Sequence, residues 1–207
     1  MLDGYVSEKE QIESIRKWWR ENGKFLIIAI VIGLGIGFGW RYWHAVQVRH
    51  ELKASMIYQS ILQADADNKV STVQGGATLL MRDYSASPYA ALSALLFAKV
   101  AVAQNDLPAA LSNLQWVIDH SNQKRLQQIA RLNSARILLS QGKAADALMQ
   151  LKTVSDKSFM PAIDWVKGDI DKQEGNAAKA TAHYTKAKAA LAGFAPAEAL
   201  LTQQLAN

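Results

Sequence analysis

Residues 131–154 read "RLNSARILLSQGKAADALMQLKTV", and the spacing of small and bulky residues within them decides the fold of most of the chain. Ala135 is followed seven residues on by Gly142, twelve on by Ala147 and sixteen on by Leu151. Two antiparallel helices account for that order. Gly142 ends the first helix, because glycine takes the left-handed conformation of a helix C-terminus at no steric cost. Ala135 and Ala147 let the helices cross closely, and Leu151 fills the gap against the next unit.

The order recurs on both sides. In "ALLFAKVAVAQNDLPAALSNLQWV" (94–117) the corresponding residues are Ala98, Asn105, Ala110 and Leu114; in "DWVKGDIDKQEGNAAKATAHYTKA" (164–187) they are Gly168, Gly175, Ala180 and Tyr184. The three segments begin 37 and then 33 residues apart. This spacing resembles the tetratricopeptide repeat, whose period is 34 residues. The resemblance covers residues 92–190 and implies an all-α solenoid of helical hairpins. Arg131 and Asp164 stand where that family prefers a large aromatic, and Asp171 where it prefers Tyr.

Residues 46–84 read as a further, degenerate hairpin, with helices near 46–64 and 70–83 joined at "ADADNK" (64–69). "SASP" (85–88) is the turn into the regular array, with Pro88 in the next helix's first turn. At the far end "APAEALLTQQLAN" (195–207) predicts a capping helix, with Pro196 in its first turn and Leu200, Leu201 and Leu205 facing back.

Before the array, residues 25–39 carry no polar side chain and lie between Lys24 and Arg41. With Trp18 and Trp19 on one side and Trp40, Tyr42 and Trp43 on the other, the run has an aromatic belt at each edge. A helix over 24–43 would be about 30 Å long, enough to span a bilayer. A cleaved signal peptide is the poorer reading: the lead carries five acidic residues and the run exits into "WRYWH". The sequence therefore predicts three parts: 1–24, a cytoplasmic amphipathic segment; 25–43, a single transmembrane anchor; and 44–207, a periplasmic repeat domain. The orientation follows from Lys9, Arg16, Lys17, Arg20 and Lys24 before the run against Arg41, Arg49 and Lys53 after it.

Within the first part, Ser7 and Glu10 predict a capping box, Ile12, Ile15 and Trp19 share a face, and Asn22-Gly23 predicts a stop. Within the span, the pairs Gly33/Gly37 and Gly35/Gly39 lie on nearly opposite faces. Each could admit a neighbouring membrane helix, or could reflect only how common glycine is in such helices.

Catalytic patterns are missing from the sequence. There is no cysteine, and His44, His50, His120 and His183 are scattered without ligand spacing. "VQGGAT" (73–78) lacks the Lys-Ser/Thr ending of a phosphate loop, and no G-x-S-x-G occurs. Asp169 and Asp171, two apart, do not share a helix face. The net charge of +5 is spread along the chain, which gives no nucleic-acid footprint. The expectation is a protein that is not an enzyme and needs no cofactor or metal.

Tetratricopeptide arrays bind along the first helix of each hairpin. By that resemblance the groove positions are Leu92, Leu95, Lys99 and Val102; Ile129, Leu132, Arg136 and Leu139; and Ala162, Trp165, Asp169 and Lys172. Leu95, Leu132 and Trp165 stand where the family's peptide-carboxylate clamp needs Lys and Asn. The expected groove is thus apolar, with Lys99 and Arg136 at equivalent levels, unless a neighbouring helix fills it. "ENGK" (21–24), "GWRYW" (39–43) and the repeats from Ala90 onward resemble the YfgM family, ancillary subunits of the Sec translocon. That resemblance implies an inner-membrane protein whose periplasmic repeats pair with the membrane-anchored chaperone PpiD. Together they would associate with SecYEG and receive proteins emerging from the channel. A signalling adaptor linking envelope stress to a cytoplasmic regulator is the alternative.

Overall fold

A computed structural model describes residues 8–191 and 202–203, which divide into two units, Met1–His50 and Glu51–Asn207. The capping helix expected over 195–207, with Pro196, Leu200, Leu201 and Leu205, lies outside the described residues except for Thr202 and Gln203. Ser7 of the expected capping box lies outside them as well.

The first unit's described residues all belong to helix α1 (Glu8–Ala66), which continues into the second unit. The stop expected at Asn22-Gly23 does not occur. The Asn22 side-chain amide donates back to the Trp18 carbonyl at 3.2 Å, a bond within the helix rather than a cap. The Trp19 indole lies over Gly23, where an added Cβ would come within 3.3 Å of the ring. Beyond this point the apolar run presents its side chains outward, Phe25 being 74 % and Phe38 71 % exposed. Among the described residues α1 is the one helix long and apolar enough to cross a membrane. An apolar surface of this extent is foreign to a water-facing helix.

The second unit is a stack of helical hairpins. Residues 51–66 of α1 pair with α2 (Val70–Asp83), α3 (Pro88–Ala103) with α4 (Leu107–His120), and α5 (Lys124–Ser140) with α6 (Ala144–Lys152). A short 3₁₀ turn (Lys157–Phe159) then leads into α7 (Met160–Gln173) and its partner α8 (Ala177–Ala190). Pro88 opens α3, and the Ser87 hydroxyl accepts from the Tyr89 N–H at 3.4 Å, as "SASP" predicts.

One turn geometry joins all four hairpins. Asn105 (φ 59°), Gly142 (φ 76°) and Gly175 (φ 78°) are left-handed, and so is Asn68 (φ 56°) in the degenerate hairpin. In each, the next residue's N–H reaches back to a carbonyl five residues earlier: Lys69 to Ala64, Asp106 to Ala101, Lys143 to Leu138 and Asn176 to Asp171, at 2.8–2.9 Å. These bonds satisfy carbonyls that the helix end leaves unpaired.

Between the paired helices, volume is matched rather than residue type. Ala98 faces the region filled by Leu114, and Ala135 that of Leu151, all within 3 % of full burial. In α7/α8 the pair becomes Gly168 and Tyr184, and a Cβ on Gly168 would stand 2.5 Å from the tyrosine ring. In the first hairpin the sizes change sides. Ile61 occupies the small position, Ala77 the bulky one, and Gly76 makes room, since its Cβ would meet Ile61 Cγ1 at 2.6 Å. Close packing tolerates such exchanges when the total volume is kept.

Candidate functional site

Between α3 and α5 lies a cavity of about 290 Å³. Its lining combines Leu95, Ala98, Lys99 and Val102 of α3, Leu114 of α4, and Asn133, Arg136 and Ile137 of α5. Of the expected groove residues, the structure thus gathers Leu95, Lys99, Val102 and Arg136 in one place. Val102 remains 43 % exposed, so an aliphatic edge stays open to solvent.

The other expected positions are engaged elsewhere. Leu132, expected in the groove, is 6 % exposed and belongs to the core with Ile163, Val166 and Leu151. The reason lies in the connection after it. α6 has 9 residues against 14 in α4, and the 3₁₀ turn brings α7 against α5, over Leu132. Leu139 and Ala162 pack on that same core, Leu92 and Ile129 on the core of the preceding hairpins, and Trp165 on Tyr184 and its neighbours in α8. Lys172 lies on the solvent-exposed last turn of α7.

The charges around the cavity follow the repeat. Lys99, Arg136 and Asp169 each come one residue after the small position of their helix, so they occupy equivalent levels. Lys99 Nζ reaches Asp65 Oδ2 at 2.9 Å, a pair 34 residues apart, close to one repeat. Asp169 accepts from the Tyr184 hydroxyl at 2.8 Å. Burial pushes the Asp169 carboxyl up, against the opposing pull of the Tyr184 hydroxyl and of the Arg136 and Lys172 charges. Loss of water contact lowers the Arg136 guanidinium, while Asp169 acts to raise it. The Tyr184 phenol is raised, first by burial and then by Asp169.

Three participants escaped the sequence reading. Asn133 lies three residues before Arg136 and shares its helix face, a signal that was there to be used. Asp65 sat in a hairpin whose register was hidden by its exchanged sizes. His183 stands between two aspartates of α7, with Nδ1 3.0 Å from Asp164 Oδ1 and Nε2 3.6 Å from Asp171 Oδ2. Asp164 and Asp171 are seven apart and share a face, unlike Asp169 and Asp171. The 3.0 Å contact with Asp164 ties α8 to α7.

On α1, the glycines of the span leave their surroundings empty: an added Cβ at Gly33, Gly35, Gly37 or Gly39 would meet nothing within 4 Å. Gly33 and Gly37 form a notch of about 250 Å³ edged by Leu34, Phe38 and Arg41.

A family profile described as a tetratricopeptide repeat-like domain matches residues 16–207. Proteins named "Ancillary SecYEG translocon subunit" are similar over most of their length. That of Aggregatibacter actinomycetemcomitans is 31 % identical over 184 residues, 88 % of this chain and 89 % of its own. That of Haemophilus influenzae is 29 % identical over 186 residues, with 88 % and 89 % covered. That of Escherichia coli is 27 % identical over 175 residues, with 84 % of each covered. No solved structure matches the chain significantly.

Proposed function

The chain belongs to the tetratricopeptide repeat-like family of ancillary SecYEG translocon subunits, and from that premise we propose that it is a non-catalytic scaffold and chaperone adaptor at the translocon. α1 anchors it in the inner membrane with the N-terminus cytoplasmic, and the hairpins stand in the periplasm. There they pair with a membrane-anchored chaperone of the PpiD kind and help handle secreted proteins as they leave the channel. The observation that carries this reading is the extent of the match. Its 184 aligned residues exceed what the hairpin unit alone contains, so the similarity reaches into α1 as well. The cavity between α3 and α5 supports a binding role for the array, and the open glycine faces of α1 support close approach by a partner helix.

The test is made in intact membranes. After carbonate washing the chain should remain in the membrane fraction, and protease added to spheroplasts should digest the hairpins while sparing the first ~40 residues. Crosslinking followed by purification should recover SecYEG and the chaperone. Replacing Gly33 with Gly37, or Gly35 with Gly39, by Leu should reduce that recovery without loss of insertion, because leucine inserts favourably. Protection of the hairpins instead of the lead would overturn the orientation, and recovery of neither partner would overturn the translocon role.

A further inference from the structure

Four charges on the first helices of the hairpins bear on the cavity: Asp65, Lys99, Arg136 and Asp169. Each cation has its carboxylate on the outer side. Lys99 is held at 2.9 Å by Asp65 of the preceding hairpin. Arg136 feels the opposite charge of Asp169 in the following one, without a direct ion pair between them. On the inner side the two cations line a single cavity whose other residues, Leu95, Ala98, Val102, Leu114, Asn133 and Ile137, include no carboxylate. Both side chains lie along this space, so an anion entering it would be attracted by both charges. The remaining lining is chiefly aliphatic, so a hydrated inorganic anion would leave most of it unsatisfied. At about 290 Å³ the space is at the lower limit of small-molecule sites and suits one or two side chains of a protein partner.

We infer that this cavity receives an acidic side chain borne on an aliphatic stretch of a partner protein, its carboxylate between Lys99 and Arg136 and a neighbouring aliphatic side chain against Leu95, Val102 and Leu114. The inference rests on the reading of the array as a partner-binding surface, and it specifies the chemistry of what binds. Asp65, which holds Lys99, and Asp169, whose charge acts on Arg136, then compete with the incoming carboxylate.

The test uses the full chain in detergent micelles and three fluorescent 12-residue peptides. They are identical except for Glu, Gln or Lys at a central position flanked by leucines. The Glu peptide should bind at least tenfold more tightly than the other two, with an advantage that shrinks as salt is added. Arg136→Gln should abolish the advantage. Asp169→Asn and Asp65→Asn should each strengthen Glu-peptide binding several-fold, a gain that misfolding cannot imitate. Lys99→Glu combined with Arg136→Glu should transfer the preference to the Lys peptide. Equal binding of the Glu and Gln peptides would overturn the acidic preference and leave the array's binding role standing. Binding of none would overturn both. A photoreactive residue at Val102, activated in membranes, should join the chain to a different protein. A product with its own residues, or with a second copy, would overturn the choice of occupant.

Discussion

The gap between α3 and α5 is open, and the gap between α5 and α7 is closed, although equivalent residues line both. Leu95 borders a cavity while its counterpart Leu132 is buried. Lys99 lines the first gap together with Arg136, whereas across the second Arg136 feels the opposite charge of Asp169. The difference has two physical sources. Helix α6, five residues shorter than α4 and followed by a 3₁₀ turn, draws α7 against α5. The opposite charges of Arg136 and Asp169 then favour the closed gap. A repeat period thus fixes where helices go, but the sign and size of a few side chains decide which crevice remains available.

The largest test of this contrast is a pair of identical substitutions. Leu132→Asp places an unpaired carboxylate in the core and should cost about 4 kcal/mol or more, reported as collapse of the thermal transition. Leu95→Asp puts the same group beside Lys99 and Arg136 and should cost roughly 1 kcal/mol. Similar losses for both would erase the distinction between the gaps.

Next in size is Gly168→Ala, which drives a methyl into the Tyr184 ring and should cost about 1–3 kcal/mol. Adding Tyr184→Leu recreates the Ala/Leu pair of the two middle hairpins and should recover most of that loss, though Asp169 forfeits its hydroxyl donor. Denaturant unfolding of the single and double variants measures the recovery. Its absence would mean that volume matching is not what closes this end of the array.

A smaller effect is expected where both gaps share a structural cause. Gly142 at φ 76° ends α5, the helix common to the two, and Gly142→Ala should cost about 1 kcal/mol. Asn105→Gly, relieving a side chain held at φ 59°, should change stability by less and in the opposite direction. Chemical denaturation resolves the two signs.

The turns and the small positions were legible in the sequence because they obey backbone sterics that no tertiary context can waive. Asn105, Gly142 and Gly175 all proved left-handed where a turn was expected. Asn68 was harder to align, because Ile61, Ala77 and Gly76 exchange the sizes by which the other hairpins were recognised. Lys99 and Arg136, expected at equivalent levels, line one cavity. Leu132 was misplaced, since helix phase alone does not say which neighbouring helix will cover a face. The Asp164–His183–Asp171 cluster depends on how α8 lies on α7, which no single-helix pattern contains.

The smallest expected effect concerns acidity in the closed gap. Because the folded protein holds the Asp169 carboxyl above its ordinary value, folding favours its protonated form. Its contribution is therefore unfavourable above the folded-state value and is relieved as pH falls through it toward the ordinary carboxylate range near about 4. Asp169→Asn does not titrate there, so wild type should gain melting temperature relative to this variant on acidification. A constant difference across that range would show that Arg136 and Tyr184 fully offset the burial.

The turn repeated at Asn68, Asn105, Gly142 and Gly175 also bears on how the chain comes to be folded. Among the described helices of the array, every contact joins neighbours in chain order or helices two apart. No step has to wait for a distant segment, so structure can propagate hairpin by hairpin, with closure of a short loop as the only recurring entropic barrier. A chain interrupted after Lys152 would already contain three complete hairpins and the α3–α5 cavity. Unfolding would run the other way, by fraying inward from the ends, and amide exchange should be slowest in α4 and α5.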